Sequence, residues 1–216
     1  MLKLTDSVMK KGLSLFLISV IALFASGCGT SKKADAAIQD VFSVEQMVQN
    51  YEKNADGIQN VVEFAASCLK DHCGLQLVLN QSGISMFYVY NFRWFGTDNP
   101  KQNDLDTLMP LVGLTQEELD SIISKLRNVN CLSVELMKSG SQFAKVLYWE
   151  NKACGYYYHL YYEPLSESEL TTNAKEMKYC IPYSNKMFLE YNPRNNDADA
   201  VFPEREVYMK SLGLSK

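Results

Sequence analysis

Only two histidines stand in the 216 residues, His72 and His159, so there are few places where acid–base or metal chemistry could start. His72 lies in Cys68-Leu-Lys-Asp-His-Cys73, where two thiols, a carboxylate and an imidazole could offer metal ligands. The spacing matches no zinc pattern. Plainer readings are a buried Cys68, a histidine favoured at a helix C-terminus, or a Cys68–Cys73 link. No metal and no cofactor is expected. His159 sits among Tyr156, Tyr157, Tyr158, Tyr161 and Tyr162. A nucleophilic Cys–His pair needs contact and an orienting third group, and no nucleophile signature surrounds either histidine. G-x-S-x-G, H-E-x-x-H, P-loop and G-x-G-x-x-G patterns are all missing from the sequence. Glu117-Glu118 falls in a helix first turn, where the dipole accounts for it. Glu167 and Glu169 read as a solvated loop. Binding is therefore favoured over catalysis.

A sixth cysteine carries a different chemistry. Lys10 and Lys11 precede an uncharged apolar run, Leu13 to Ala25, and Ala25-Ser26-Gly27 leads into Cys28. This is the layout of a cleaved secretory leader, and the run is short for a membrane span of roughly 20 residues. The ending Ala25-Ser26-Gly27-Cys28 resembles the lipobox of bacterial lipoproteins, although Leu is commoner where Ala25 stands. The resemblance covers only the first 28 residues. It implies a signal peptide over residues 1–27, cleavage before Cys28, and diacylation of the Cys28 thiol. Two acyl chains hold a protein to a membrane far more firmly than one. The implied address is extracytoplasmic, on the cell membrane or, in a double-membrane envelope, the outer membrane.

Composition fits that address. The leader carries three lysines and one aspartate, so its removal makes the chain more acidic than its overall charge of −4. An acidic surface argues against a nucleic-acid partner and against electrostatic docking on anionic lipid. The membrane partner is the bilayer met through the acyl chains of Cys28. Cys68, Cys73, Cys131, Cys154 and Cys180 could pair outside the cytoplasm, but an odd number leaves one thiol over.

Residues 28–40 are small and polar and read as a tether; residues 41–216 are enough for an α+β domain with a real core. Ser43 with Gln46 predicts a helix start, and Asp56-Gly57 a break in that helix. Leu75, Leu77 and Leu79 alternate as a strand face, Ser82-Gly83 turns the chain, and Ile84, Met86, Tyr88 and Tyr90 continue that face. Asn91 to Thr107 reads as a long loop. Thr115 with Glu118 caps a second helix, and Leu132, Val134 and Leu136 begin a second meander. Two short strands are expected between Met177 and Tyr191, with Pro182 confining its strand to an edge, and a short closing helix after Pro203.

A shift of 57 residues carries Ser82-Gly83 onto Ser139-Gly140 and Leu75, Leu77, Leu79 onto Leu132, Val134, Leu136. It also carries Val62, Ala65, Ala66, Leu69 onto Leu119, Ile122, Ile123, Leu126. Residues 56–91 and 113–150 thus read as a pseudo-repeat of one helix–hairpin unit. The expected fold is an antiparallel sheet with helices packed on one face. In plan this resembles small Gram-positive lipoproteins of unknown function. It is also similar to tandem helix-and-sheet inhibitor modules that grip a partner with an exposed sheet face.

The tyrosine-rich strand supplies the candidate surface. Tight turns at Ser139-Gly140 and Lys152-Ala153 would pair Ser133 with Val146 and Val146 with His159. Phe143, Leu147, Trp149, Tyr156 and Tyr158 then face the core, with Lys145 out of place among them. Tyr148, Tyr157, His159 and Tyr161 gather on the other face, suited to a protein or glycan partner. The expected function is a non-catalytic binding role at the cell envelope. The alternative is an envelope enzyme acting on cell wall or glycan through scattered acids and His159; a solute-sensing or assembly accessory is a third reading. Mass spectrometry of the mature N-terminal peptide should find acylated Cys28, and an intact leader would overturn the anchor.

Overall fold

The computed structural model describes residues 43–194 and 199–211. The leader, Cys28 and the 28–40 tether lie outside the described residues. The fold is α+β. Eight strands form one antiparallel sheet: β1 (Cys73–Asn80), β2 (Gly83–Asn91), β3 (Arg93–Asp98), β4 (Ser133–Met137), β5 (Phe143–Glu150), β6 (Cys154–Tyr161), β7 (Cys180–Pro182) and β8 (Met187–Pro193). Their order across the sheet is β3-β2-β1-β4-β5-β6-β8-β7. The helices are α1 (Val44–Cys68), α2 (Gln102–Val112), α3 (Gln116–Asn128), α4 (Glu167–Glu176) and α5 (Arg205–Ser211). None is long and apolar enough to cross a membrane.

A helix followed by three antiparallel strands occurs twice, as α1-β1-β2-β3 and as α2-α3-β4-β5-β6. The two blocks meet where β1 pairs with β4, and Leu77 stands opposite Val134. Those residues are 57 apart, so each faces its own counterpart across a local two-fold. Leu75, Leu77, Leu79, Val134 and Leu136 are buried in one core with Val61, Val62 and Ala65 of α1 and Leu119, Ile122 and Leu126 of α3. Tyr158 ties helix to sheet: its hydroxyl donates to the Met47 carbonyl at 2.8 Å and accepts from Asn50 at 3.1 Å.

Several boundaries differ from the sequence expectations. The first helix runs unbroken through Asp56-Gly57. Gly57 marks a close approach instead, since a Cβ there would sit 2.7 Å from Val129 Cγ1. The expected loop from Asn91 to Thr107 holds β3 and the start of α2. β3 is an edge strand with little buried, which weakens its alternation. Pro110 lies inside α2 and interrupts the residue pattern there, while the Asp104 carboxylate caps the start by accepting from Lys101 N–H at 2.8 Å. Glu167 and Glu169 open α4 rather than a loop, and Ser166 and Glu169 form its capping box.

Register brings the larger correction. A bulge between Val78 and Leu79 slips β2 by one residue. Phe87 and Val89 therefore join the buried leucines, and Met86, Tyr88 and Tyr90 face the other way. In the second meander Ser133 pairs with Leu147, not Val146, and Val146 pairs with Tyr158, not His159. The β4–β5 loop is one residue longer than a two-residue turn, and a bulge lies between Leu147 and Trp149. β4 and β6 keep their expected faces, whereas β5 from Phe143 to Leu147 is reversed. Lys145, the misfit, thereby leaves the helix-side core.

Leu77 and Val134 are both fully buried. Leu77→Ala should cost about 2–5 kcal/mol and Val134→Ala somewhat less, read as a shift in the urea midpoint; unchanged midpoints would contradict this packing.

Candidate binding surface

The face of the sheet away from α1, α2 and α3 is divided in two. Toward β7, α4 and its flanking segments lie over it. There Tyr161, Cys180 and Phe188 form a small second core with Phe143, Leu165, Leu170, Met177 and Tyr179 around them. From β3 to β5 no helix among the described residues lies over the face.

At the boundary lies a buried polar cluster. Glu190 of β8 is 2% exposed. Its carboxylate accepts from Lys145 Nζ at 2.7 Å and from His159 Nδ1 at 2.8 Å. Burial alone would push its pKa up. The His159 hydrogen bond and the Lys145 charge outweigh that and hold it below the usual carboxylate range. For Lys145, burial pulls the ammonium pKa down, but Glu190 more than compensates and raises it. His159 is sandwiched between Phe143, with centroids 4.0 Å apart, and Tyr161 at 5.0 Å. Its Nε2 finds no hydrogen-bond partner among the described residues.

His159, Cys180 and Glu190 converge to within 4.8 Å, a grouping that mixes nitrogen, sulfur and oxygen donors. Lys145 already supplies the cation beside Glu190, and both carboxylate oxygens are taken, so a divalent ion would have to displace an ammonium. The same three residues are a poor nucleophilic triad. All are buried, and burial together with the Glu190 charge pushes the Cys180 thiol pKa far up, where little thiolate forms. What the cluster does in the fold is tie β5, β6 and β8 together through Lys145, His159 and Glu190. Cys68, Cys73, Cys131, Cys154 and Cys180 are all free thiols, so Cys68 and Cys73 are not linked.

The four residues assigned to a surface patch do not form one. Tyr157 lies on the outer face and is half-buried. His159 and Tyr161 share that face but are 2% and 6% exposed, covered by Phe143 and the α4 region. Tyr148 falls at the β5 bulge and turns to the helix side, where its ring meets Tyr158 at 5.7 Å. The β5 slip separates it from the rest.

The register assembles a different set of residues on the open face. One row runs straight across five strands: Gly96, Tyr88, Gln76, Glu135 and Lys145. A second row runs Trp94, Tyr90, Gly74 and Met137. Trp94, Glu135, Met137, Ser141, Phe143 and Lys145 enclose a pocket of about 50 Å³. Met137 packs down over Gly74, where a Cβ would meet its Sδ at 2.4 Å and Tyr90 Cβ at 3.2 Å. Trp94 is 45% exposed and packs edge-on to Tyr90 at 5.5 Å. Burial raises the Glu135 carboxyl pKa, with Lys145 pulling it down and Glu190 pushing it up. Gln76 Nε2 donates to Glu135 at 3.4 Å.

One signal in the sequence points here: Lys145 is the one charge in an otherwise apolar face. Gly74, Gly96 and Trp94 give none, because the sequence pattern starts β1 at Leu75 and reads β3 as loop. Searched against family models, curated proteins and solved structures, the chain matches none.

Removing charge from Glu190 strands Lys145 in a buried site. Glu190→Gln should cost about 3–5 kcal/mol, and adding Lys145→Met should recover part of it. The folded carboxyl titrates below its ordinary 4.5. Its stabilisation is therefore complete above that value and lost as pH falls through the folded pKa. The ammonium titrates above 10.5, so its contribution is lost only as pH rises through that higher folded value. Urea unfolding from pH 3 to 7 should show an acid loss of stability that is smaller in Glu190→Gln; identical slopes would refute the pairing.

Proposed function

We propose that this is a lipid-anchored cell-envelope protein that binds a partner non-catalytically through the open sheet face. Support for the anchor is the leader and the Cys28 lipobox. The observation that carries the binding role is the face from β3 to β5, which no helix among the described residues covers and where Trp94 is half-exposed beside Tyr90 and above a polar floor. A sheet face left bare in an α+β fold is ordinarily polar; a tryptophan standing on it is the kind of side chain that dominates binding energy.

The geometry favours binding over hydrolysis. Glycosidic cleavage uses two carboxyl groups roughly 5–9.5 Å apart across the bond. Glu135 lies in the floor of the pocket, but Glu190 is buried with both oxygens engaged. Asp98 lies on β3, three strands from β4 and so roughly 14 Å away.

The test is sedimentation of the detergent-solubilised protein with washed envelope material. Wild type should co-sediment and Trp94→Ala should do so far less, with an unchanged melting temperature. Equal retention of the two proteins would remove the open face from the function.

A further inference from the structure

We infer that the open face takes an extended saccharide of neutral or amino sugars lying across the strands, with its rings on Tyr88, Trp94 and Tyr157 and its hydroxyls on Gln76, Glu135 and Lys145. This rests on the reading that the open face binds a ligand, and it names the ligand's chemistry.

The first argument is how the rings are presented. Tyr88 pairs with Gly96, and a Cβ on that glycine would lie 2.5 Å from both Cγ and Cδ1 of the tyrosine. The ring is thus laid down over the glycine, and its hydroxyl is pinned by donating to Asp98 at 3.1 Å. The same device recurs on β6, the strand that borders the open face. A Cβ on Gly155 would meet Tyr157 Cε2 at 2.9 Å and its hydroxyl oxygen at 3.3 Å, so Tyr157 lies along the sheet over Gly155 and Leu147. A ring lying on a sheet offers its π face to what approaches. That face is electron-rich and attracts polarised C–H groups, which a pyranose presents on its apolar side.

The second argument is the floor between the rings. It is built from an amide, a carboxyl and an ammonium, Gln76, Glu135 and Lys145, aligned in register on adjacent strands. The centre of a protein–protein interface is depleted in charge, whereas a polyol is held by such groups. β2 and β6 are four strand spacings apart, roughly 19 Å. One strand spacing is close to the length of one sugar residue, so the floor can offer a polar group to each successive ring.

The third argument is sign. Lys145 is neutralised by Glu190, Glu135 stands half-buried beside it, and Asp98 is exposed on the same face, so no lone cation faces outward along the Gly96–Lys145 row. That disfavours phosphorylated, sulfated or uronic chains and suits hydroxyl or ammonium groups.

Trp94 makes the test direct, because the chain has two tryptophans. The full-length Trp149→Phe protein in detergent reports Trp94 fluorescence alone. It should be titrated with cellotetraose, chitosan tetramer and, as the acidic control, tetragalacturonate. The inference expects saturable quenching by the first or second and none by the third. Tyr88→Ala should weaken binding roughly tenfold, the scale of one lost ring contact, while Tyr88→Phe retains most of it and both keep the parent melting temperature. Quenching by tetragalacturonate alone overturns the inference. So does an absence of quenching by all three at millimolar concentration: if Trp94→Ala still lowers retention on envelope material, the face binds something other than such a saccharide, and if it does not, the binding role of the face fails as well. Equal affinity of Tyr88→Ala and the parent also overturns it.

Discussion

The antiparallel contact between β1 and β4 is the constraint on which the rest depends. Each strand alternates, so the contact fixes one face of two strands at once: Leu75, Leu77, Val134 and Leu136 on one side, Gly74, Gln76, Glu135 and Met137 on the other. Both helical segments that precede these strands fall on the leucine side and bury it. With its leucines committed there, the middle of the sheet carries Gly74, Gln76, Ser133 and Glu135 on the opposite side, with Val78 and Met137 among them. The open face is a consequence of that choice rather than a separate feature.

The buried Lys145–Glu190–His159 cluster does a second job, which is to hold register. A buried ion pair gains little over apolar packing but penalises wrong arrangements heavily. Sliding β5 by one residue would drive Lys145 into the core beneath α1 and α3, and would bring Ala144 or Val146 onto the face where Glu190 waits. The strand with the least decisive apolar pattern is thus the one locked by charge. The same cluster bounds the open face: Phe143 packs tilted against His159 and lines the pocket together with Trp94.

Much of the fold was legible because its signals are local. Capping boxes at Thr115–Glu118, the leucine alternation of β1 and the edge position of Pro182 each depend on neighbours in sequence. The misread parts depend on a count of residues between strands. One additional residue in the β4–β5 loop and one bulge at Tyr148 reversed β5, and no propensity records either. The open-face aromatics are hidden for the same reason. Without its bulge the alternation of β2 puts Tyr88 and Tyr90 on the core face, and Trp94 reads as loop because an edge strand buries too little to alternate.

Placement of the open face relative to the chain's entry is the last consequence of this plan. α1 begins at Val44 and runs 25 residues, roughly 37 Å at 1.5 Å per residue. At its far end Lys70 N–H donates to the Val112 carbonyl at 2.9 Å, and Asn91 Nδ2 donates to the Leu111 carbonyl at 3.0 Å. The β2–β3 turn is thereby tied to the end of α1 remote from Ser43. Phe92 stands at that turn, 91% exposed and with φ of 60°, a conformation that a bulky residue adopts only under constraint. Asn91 and Arg93 pair on either side of it, which leaves a single residue to reverse the chain and forces that backbone. Trp94 follows directly, so the aromatic edge of the open face lies at the end of α1 remote from Ser43, fixed there by the same two hydrogen bonds that hold the β2–β3 turn.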